Sequence, residues 1–394
     1  MNPADAARTP LGAATIQRLA ELVAFDTTSR NSNLDLIEHV EGVLGPLGAK
    51  LTRVPDATGT KANLIASFGP VEAPGGVILS GHTDVVPVDG QPWSSDPWTL
   101  QHRDGLLYGR GTCDMKAFSA AILAVAPQLA AAQLVRPVHI ALSYDEEVGC
   151  IGAPDMVVKM ARELPGIEAV IVGEPTDMKV VSGHKGIASW VVEVTGREAH
   201  SSQVDQGVSA VAEAVPLMQL VLETAAGLRA SAPADSPFDI PGATMTIGVM
   251  QGGTAVNILA RTASFMFDLR TEAGQDPTVI VAPIMAAVAR TDASIKARAP
   301  EGGARIIQRS FTPALAPVPD SPAERLARQL TGDNESRVVA YATEGGLFQR
   351  EGLATVVCGP GSILQAHQPD EFVAVEQVEA CAAFLERLVR RQSA

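Results

Sequence analysis

The sequence is poor in positive charge. Its 394 residues carry 44 acidic and 30 lysine or arginine side chains, so the formal net charge at pH 7 is −14. This excess of negative charge argues against nucleic acids and anionic membrane surfaces as partners, because both are themselves negatively charged. It is compatible with a cationic substrate, although the charge of a whole protein says little about one pocket.

Cysteine is also scarce, and its spacing is not that of a disulfide-linked protein. The four residues Cys113, Cys150, Cys358 and Cys381 include no Cys-X-X-Cys pair. No disulfide framework is therefore indicated. We expect all four to be small buried apolar residues.

The first residues, MNPADAARTP, lack the basic start and the apolar core of a signal peptide. No apolar run approaches the roughly 20 residues of a membrane span. We therefore expect a cytoplasmic protein without a membrane partner.

With 46% hydrophobic and 19% charged residues, the composition is that of a folded globular protein. The length favours two domains.

Polar side chains follow four short apolar runs, each of which is typical of a buried strand. The runs are residues 77–79, 138–143, 169–172 and 354–358, and the polar residues after them are His82 and Asp84, Glu146 and Glu147, Glu174, and His367. Ligands of open α/β sheets bind outside the carboxyl ends of the strands. We therefore expect these side chains to converge at one edge of a sheet.

His82 and Asp84 are separated by one residue, so in an extended chain their side chains point to the same side. Asp84 can then hold the His82 ring through its second nitrogen, as carboxylates commonly do for metal-binding histidines. About thirty residues later, the glycine-rich turn at 109–111 brings the chain back to Asp114.

Two histidines and several carboxylates, with no cysteine pair nearby, suit zinc or another borderline divalent ion. Bridging carboxylates allow two such ions, an arrangement common in metallohydrolases. Glu146 and Glu147 are adjacent and point in different directions, so they cannot easily do the same work. One of them can bind metal while the other handles the proton of a water molecule.

The order of the predicted elements indicates an α/β protein with an insertion. Up to residue 183, strands alternate with helices, which implies a mainly parallel sheet covered on both faces. Residues 184–299 then read as β-α-β-β-α-β, the split ferredoxin-like unit, with its fourth strand at 294–299. We therefore predict a discontinuous catalytic domain, 1–183 and 300–394, and an inserted domain, 184–299.

Four stretches, SGHTDVVPV, GRGTCDMK, DEEVGCIGA and VGEPT, resemble in order the site blocks of the dinuclear zinc aminoacylases and carboxypeptidases known as M20 metallopeptidases. Three further stretches are similar to the branch of that family that hydrolyses N2-acetyl-L-ornithine to L-ornithine and acetate in arginine biosynthesis. They are HKG at 184–186, GREAHSS at 196–202 and CGPGSILQAHQPDEFV at 358–373. The resemblance spans nearly the whole chain.

The resemblance implies two bound divalent ions, Zn²⁺ or alternatively Co²⁺, with Asp114 bridging them. By the same resemblance Glu146 is the general base that activates water. The remaining ligands would be Glu147 and His367 at one ion and His82 and Glu174 at the other.

The resemblance also implies that the inserted domain forms a homodimer. His200 would then reach the site of the partner subunit and stabilise the oxyanion, while Asn257 and Arg270 would bind the substrate. Taken alone, each of these residues is read as a structural polar residue near a glycine turn. The resemblance reverses that interpretation, with Arg270 pairing the α-carboxylate of the substrate.

Three functions stay open from the sequence. The first is hydrolysis of N2-acetyl-L-ornithine, and the second is hydrolysis of another N-acyl amino acid, such as N-succinyl-diaminopimelate or acetylcitrulline, or of a dipeptide. The third is a dimeric binding protein without chemistry, which has no physical need for so costly a cluster of like charges. Glu344, after a predicted strand, is a candidate partner for a substrate ammonium, although alone it reads as a solvated charge.

Overall fold

The structure is a computed structural model that describes residues 3–394. Its strands are β1 (Lys50–Pro55), β2 (Ala62–Phe68), β3 (Gly76–His82), β4 (Gln101–Arg103), β5 (Leu106–Tyr108), β6 (Val138–Ser143), β7 (Ile167–Pro175), β8 (Val181–His184), β9 (Gly186–Thr195), β10 (Thr244–Gly252), β11 (Thr262–Thr271), β12 (Gly303–Thr312), β13 (Arg337–Val339), β14 (Thr355–Gly359) and β15 (Phe372–Ala374). Its α-helices are α1 (Pro10–Val23), α2 (Leu34–Leu44), α3 (Ala117–Ala131), α4 (Pro154–Glu163), α5 (Ala210–Ala230), α6 (Pro277–Arg298), α7 (Pro322–Thr331), α8 (Gly345–Arg350) and α9 (Val375–Gln392).

The described chain divides into two compact units. The larger unit consists of the chain up to His184 together with Leu315–Val339 and Thr343–Ala394. The inserted unit consists of Lys185–Ala314 and the short segment Ala340–Ala342. The predicted insertion ended at residue 299, which is too early, because β12 pairs with β9 and completes the sheet of the inserted unit.

The larger unit is built on an eight-stranded sheet in the order β1-β2-β6-β3-β7-β14-β8-β13. Its central strands β6, β3, β7 and β14 run parallel to one another. Antiparallel pairs lie toward the edges, where β1 pairs with β2 and β2 with β6, and where β14 meets β8. The predicted mainly parallel α/β sheet is therefore confirmed.

Helices cover both faces of this sheet, as the fully buried central strands require. In β3, Val77 and Leu79 point to the face covered by α1, α2, α3, α7 and α9, where they share a core with Phe118. Ile78 points to the opposite face, where it packs with residues of α4 and α8 that include Phe348. The alternation along one strand thus supplies two separate cores.

The inserted unit has a four-stranded antiparallel sheet in the order β10-β11-β9-β12, with α5 and α6 packed on it. Its elements follow the predicted order β-α-β-β-α-β. The strand predicted at 294–299 is wrong, because α6 continues to Arg298. Ile295 is buried on the same face of α6 as Ile284 and Val288, so the helical spacing outweighs the short alternation of apolar and polar residues.

Two helices of the inserted unit, α5 and α6, are long and apolar enough to cross a membrane by length and composition alone. The expectation that no segment approaches this length was therefore wrong. Each helix interrupts its apolar sequence with a proline, Pro216 in α5 and Pro283 in α6. Each also places apolar residues against the sheet, among them Leu217 and Val281. Only 17% of the apolar window in α5 and 28% of that in α6 is buried, so one face of each helix packs on the sheet and the rest lies open.

All four cysteines are free and buried, as the sequence analysis predicts. Burial raises the pKa of the Cys358 thiol to about 12. The Cys150 thiol donates a hydrogen bond to Oε1 of Glu146 at 3.2 Å, and the Cys113 thiol donates one to the carbonyl of Ser362 at 3.2 Å. Cys113 and Cys150 thus donate hydrogen bonds, and none of the four cysteines forms a disulfide.

Candidate metal centre

The central parallel strands bring the predicted ligands to one edge of the sheet. His82 is the last residue of β3, and Glu174 lies near the end of β7. Glu146 and Glu147 follow β6, and His367 follows β14. Since these strands are parallel neighbours, their carboxyl ends meet, and the four segments converge as predicted.

Asp114 lies between the two histidines. Its Oδ1 is 3.0 Å from Nε2 of His82, and its Oδ2 is 3.3 Å from Nε2 of His367. Nε2 of His82 is also 3.5 Å from Oε1 of Glu174, while Nε2 of His367 is 3.0 Å from Oε2 of Glu147. One carboxylate thus presents one oxygen to each half of the cluster, which is the arrangement that a bridging ligand requires.

The donor set fits divalent metal ions. Two groups have ligand atoms that all lie within 4.8 Å of one another: His82, Asp114 and Glu147, and His82, Glu146 and Glu174. Within the described residues, the buried Oε1 of Glu147 has no hydrogen-bond partner. A buried carboxylate oxygen without a partner is costly unless a ligand supplies one. Imidazole nitrogens and carboxylate oxygens, without thiolates, match zinc and other borderline divalent ions.

The electrostatics of the cluster favour an added cation. Burial raises the pKa of Glu146 to about 8 and that of Glu147 to about 7, and the charge of Asp114 acts in the same direction. Hydrogen bonds to Asp114 and Glu147 raise the pKa of His367 to about 10. Burial opposes a charged His82, but its hydrogen bond with Asp114 and the nearby carboxylates hold its pKa well above the ordinary value. Without a metal, the site therefore retains protons that a divalent ion can replace.

Asp84 acts differently from the sequence prediction. Nδ1 of His82 donates to the backbone carbonyl of Asp84 at 2.8 Å, whereas the nearest oxygen of the Asp84 carboxylate is 3.6 Å away. That carboxylate instead accepts hydrogen bonds from the backbone N–H groups of Glu146 and Glu147, at 3.0 and 3.3 Å, and from the Ser29 hydroxyl at 2.7 Å. The Asp84 backbone orients the histidine, and its side chain holds the loop that carries the two glutamates.

Glu344 lies beneath the cluster and does not reach solvent. It is 1% exposed, and its carboxylate accepts hydrogen bonds from the hydroxyls of Ser143 and Ser80, the latter at 3.0 Å. Burial raises its pKa to about 6. Because both oxygens have partners inside the protein, the predicted direct contact with a substrate ammonium needs correction. Glu344 joins the ends of β3 and β6.

The three remaining predicted residues lie in the inserted unit. His200 is exposed, and its Nδ1 is 2.9 Å from the Ser202 hydroxyl. Asn257 is exposed on the neighbouring segment, and its carbonyl accepts from the backbone N–H of Ser201 at 2.9 Å. Arg270, in β11, donates from Nε to Asp268 at 3.0 Å. His200 and Asn257 are thus close neighbours within that unit, while Arg270 belongs to its sheet.

The sequence analysis missed Glu371 and Arg110, which form a buried ion pair of 2.7 Å next to Asp114. Glu371 stands four residues after His367, and Arg110 stands between the two glycines of Gly-Arg-Gly. Both positions lie inside stretches that already pointed to the site. No spacing along the chain, however, indicates that residues about 260 positions apart meet.

Comparisons with known proteins find relatives that match most of the chain. The family model described as peptidase family M20/M25/M40 matches residues 78–391. The chain is 32% identical over 391 residues to an acetylornithine deacetylase of Pasteurella multocida, covering 95% of this chain and 97% of that protein. It is 35% identical over 378 residues to an acetylornithine deacetylase of Myxococcus xanthus, covering 94% and 95%.

Solved structures with low sequence identity share the fold. An M20 family metallo-carboxypeptidase of Sulfolobus solfataricus has a TM-score of 0.77 and 18% identity, covering 96% of this chain and 99% of that chain. A dinuclear metal binding peptidase of the M20 family from Bacillus subtilis has a TM-score of 0.62 and 15% identity, covering 96% and 97%. From the family match over most of the chain and the full-length relatives, the protein is a hydrolytic enzyme that belongs to peptidase family M20/M25/M40.

Proposed function

We propose that the protein hydrolyses N2-acetyl-L-ornithine to L-ornithine and acetate, a reaction of arginine biosynthesis. The observation that carries the hydrolytic chemistry is the Asp114 carboxylate between two histidines, next to further buried carboxylates. Support for the substrate comes from relatives named acetylornithine deacetylase, which match more than nine-tenths of the chain at 32–35% identity. The geometry supports the reaction class, and the relatives support the acyl amino acid.

For the metals, we propose two divalent ions, Zn²⁺ or alternatively Co²⁺, with Asp114 as the shared ligand. Glu147 and His367 would complete one site, and His82 and Glu174 the other. When bound, such ions make water more acidic and polarise a carbonyl group. The 3.0 and 3.3 Å separations around Asp114 support this assignment, as does the unpartnered oxygen of Glu147.

In this proposal Glu146 is the residue of the protein that transfers the proton during the reaction. Its carboxylate takes a proton from the attacking water and returns that proton to the departing amine, while the acetyl carbon–nitrogen bond breaks. Once it has taken the proton of the water, the Glu146 carboxyl is the donor in the second half of this cycle. The Cys150 thiol and the Asp84 carboxylate support the loop from which Glu146 acts.

For the inserted unit, we propose homodimer formation and substrate recognition. The edge strand β10 exposes Val249 and Met250, and an exposed apolar edge strand is suited to pair with a second copy. In this proposal His200 acts on the oxyanion in the partner subunit's site. Asn257 binds the substrate, and Arg270 pairs with its α-carboxylate.

A panel of N-acyl amino acids tests the proposed substrate. Zn²⁺-loaded protein should release amine from N2-acetyl-L-ornithine with a higher kcat/KM than from N-succinyl-diaminopimelate, acetylcitrulline or a dipeptide. A clear preference for one of these other compounds would show that the protein is a hydrolase with a substrate different from the proposed one. Two stoichiometric ions without turnover of any compound would favour a binding protein instead.

A further inference from the structure

The Glu371 carboxylate holds the backbone on which Asp114 stands. Its side chain is 1% exposed. Oε1 accepts from the backbone N–H groups of Cys113 and Asp114 at 2.8 and 3.0 Å, and Oε2 accepts from that of Gly111 at 2.9 Å. A single carboxylate therefore fixes three peptide groups around the proposed bridging ligand.

Arg110 connects the same carboxylate to the loop of His367. It donates to Oε2 of Glu371 at 2.7 Å and to the carbonyl of Gln368 at 3.3 Å. It also donates to Oε1 of Gln91 at 2.5 Å, while Nε2 of Gln91 donates to the carbonyl of His367 at 3.0 Å. The guanidinium thus contacts the carbonyl of the residue after His367 directly, and it is linked to the His367 carbonyl through Gln91.

The backbone of His367 needs such support, although its ring nitrogen lies 3.3 Å from Asp114 and 3.0 Å from Glu147. Its side chain is 52% exposed, and its backbone has φ 63°, a left-handed conformation that a non-glycine residue rarely adopts. The loop contacts made by Gln91 and Arg110 hold the backbone in that conformation. Glu371, four residues further on, links the loop to the Asp114 segment.

We propose that Glu371, with Arg110 as its charge partner, is a positioning residue that holds Asp114 and His367 at ligand distance before a metal ion binds. This inference rests on the proposed metal centre. Burying an ion pair contributes little net stability, so positioning accounts for the pair better than stability does. Groups behind the metal ligands typically change metal affinity by about 10–100-fold when they are replaced.

The test compares Glu371→Gln with Asp370→Asn as a matched control. Both variants replace a carboxylate by an amide in the same loop, but Asp370 accepts only from the backbone and hydroxyl of Ser94, at 2.9 Å each. With Zn²⁺ and a competing chelator, Glu371→Gln should bind Zn²⁺ about 10–100-fold more weakly, with the larger loss at the ion that His367 and the shared Asp114 hold together. Asp370→Asn should match the wild-type protein in both affinities.

Hydrogen exchange of the metal-free proteins gives a readout that does not depend on activity. The amides of Gly111, Cys113 and Asp114 should exchange faster in Glu371→Gln than in the control, while those of β3 and β6 stay protected. A uniform loss of protection across the larger unit would instead indicate a general loss of stability, and it would overturn the positioning role.

Two further variants keep the inference testable if Glu371→Gln does not fold. The charge-balanced double variant R110Q/E371Q removes the uncompensated buried charge, so it should fold yet still bind one ion weakly. Gln91→Ala removes the link to His367, together with the oxygen that accepts from Arg110 and Trp93, but leaves the Glu371 carboxylate in place, and it should weaken the same ion. Two ions bound with unchanged affinities in either folded variant would overturn the inference. Fewer than two ions in the wild-type protein would instead overturn the proposed metal centre.

Discussion

At the scale of single residues, Glu146 and Glu147 are neighbours with different surroundings. Oε2 of Glu147 lies 3.0 Å from His367 and its other oxygen has no partner within the described chain, whereas Oε1 of Glu146 accepts from the Cys150 thiol. This difference supports the proposed division of work, in which Glu147 is a ligand and Glu146 carries the proton.

Glu146→Gln should therefore leave two metal ions bound while nearly abolishing turnover, because the amide keeps the shape of the side chain but cannot accept the proton. Metal content by atomic emission and single-turnover amine release are the measurements. Glu147→Gln is the matched comparison, and it should lose metal. A Glu146→Gln protein that loses stoichiometric metal would contradict the division of work.

Metal affinity should fall as the pH is lowered. The pKa values of about 7 for Glu147 and about 10 for His367 mean that, in the metal-free protein near pH 7, His367 is protonated and Glu147 is protonated in about half of the molecules. A metal must displace these protons, so affinity should drop by about tenfold per pH unit for each proton displaced. Zn²⁺ titrations from about pH 8 to about pH 6, in buffers of different ionisation enthalpy, measure both quantities. Affinity independent of pH would contradict the raised pKa values.

Glu344→Gln tests whether Glu344 contacts the substrate ammonium or only holds other residues of the protein in place. Because Glu344 is buried and accepts from Ser80 and Ser143, we expect similar losses of kcat/KM for N-acetylornithine and for uncharged N-acetylmethionine. If kcat/KM falls further for N-acetylornithine, by about 1–3 kcal/mol in transition-state free energy, Glu344 does contact the substrate ammonium.

Strand periodicity was enough to predict which residues meet at the site, but it could not predict how they are held. The position of His82 at the end of a buried strand followed from the apolar run before it. The contact of its ring with the Asp84 carbonyl did not, because it depends on the exact path of an irregular segment. Glu371 and Arg110 were missed for the same reason, since loops from distant parts of the chain bring them together.

At the scale of elements, the packing of α3 on β7 depends on a glycine just before Glu174. A Cβ atom at Gly173 would lie 2.0 Å from ring atoms of Phe118, a fully buried residue of α3. The absence of a side chain at this position thus lets helix and strand approach closely where the site is built.

Gly173→Ala should destabilise the protein by about 1–3 kcal/mol, the usual effect of overpacking a dense core. Gly42→Ala is the control, because its new Cβ meets nothing within 4 Å and lies on an exposed helical position of α2. That control should be neutral or stabilising by up to about 1 kcal/mol. Urea unfolding of the two variants measures both effects, and equal stabilities would contradict the packing argument.

The element pattern also shows where local sequence is ambiguous. Residues 294–299 alternate apolar and polar side chains, which favoured a strand, yet they also continue the three- and four-residue spacing of α6. Packing of Ile295 against the sheet of the inserted unit decides between the two periods. Tertiary contacts therefore placed the fourth strand at Gly303–Thr312 instead.

At the scale of the whole molecule, the family and its α/β fold could be predicted because the site blocks occur in order along nearly the entire chain. The apolar character of α5 and α6 was underestimated, since alanine-rich helices do not form an obvious hydrophobic run. The sequence patterns describe one chain, whereas a homodimer depends on contacts between two chains. The proposed homodimer therefore needs an experiment that measures two chains together.

Subunit mixing provides that experiment. His200→Ala alone should lower kcat by about 100-fold with metal content unchanged, the typical loss of one oxyanion donor. In a hybrid dimer of Glu146→Gln and His200→Ala chains, one of the two sites combines an intact Glu146 with the partner's intact His200. Equal mixing makes half of the dimers hybrid, so activity should recover to about one quarter of the wild-type value.

The control mixes His200→Ala with the double variant E146Q/H200A, which offers no intact His200 to any site and should stay inactive. Subunit exchange is verified by recovering both chains through a tag placed on only one of them. Restored activity in the first mixture and none in the second would require His200 to act across the dimer. Exchanged but inactive hybrids would mean that each site is completed within its own chain, and His200 would then have to act on the substrate bound by the same subunit.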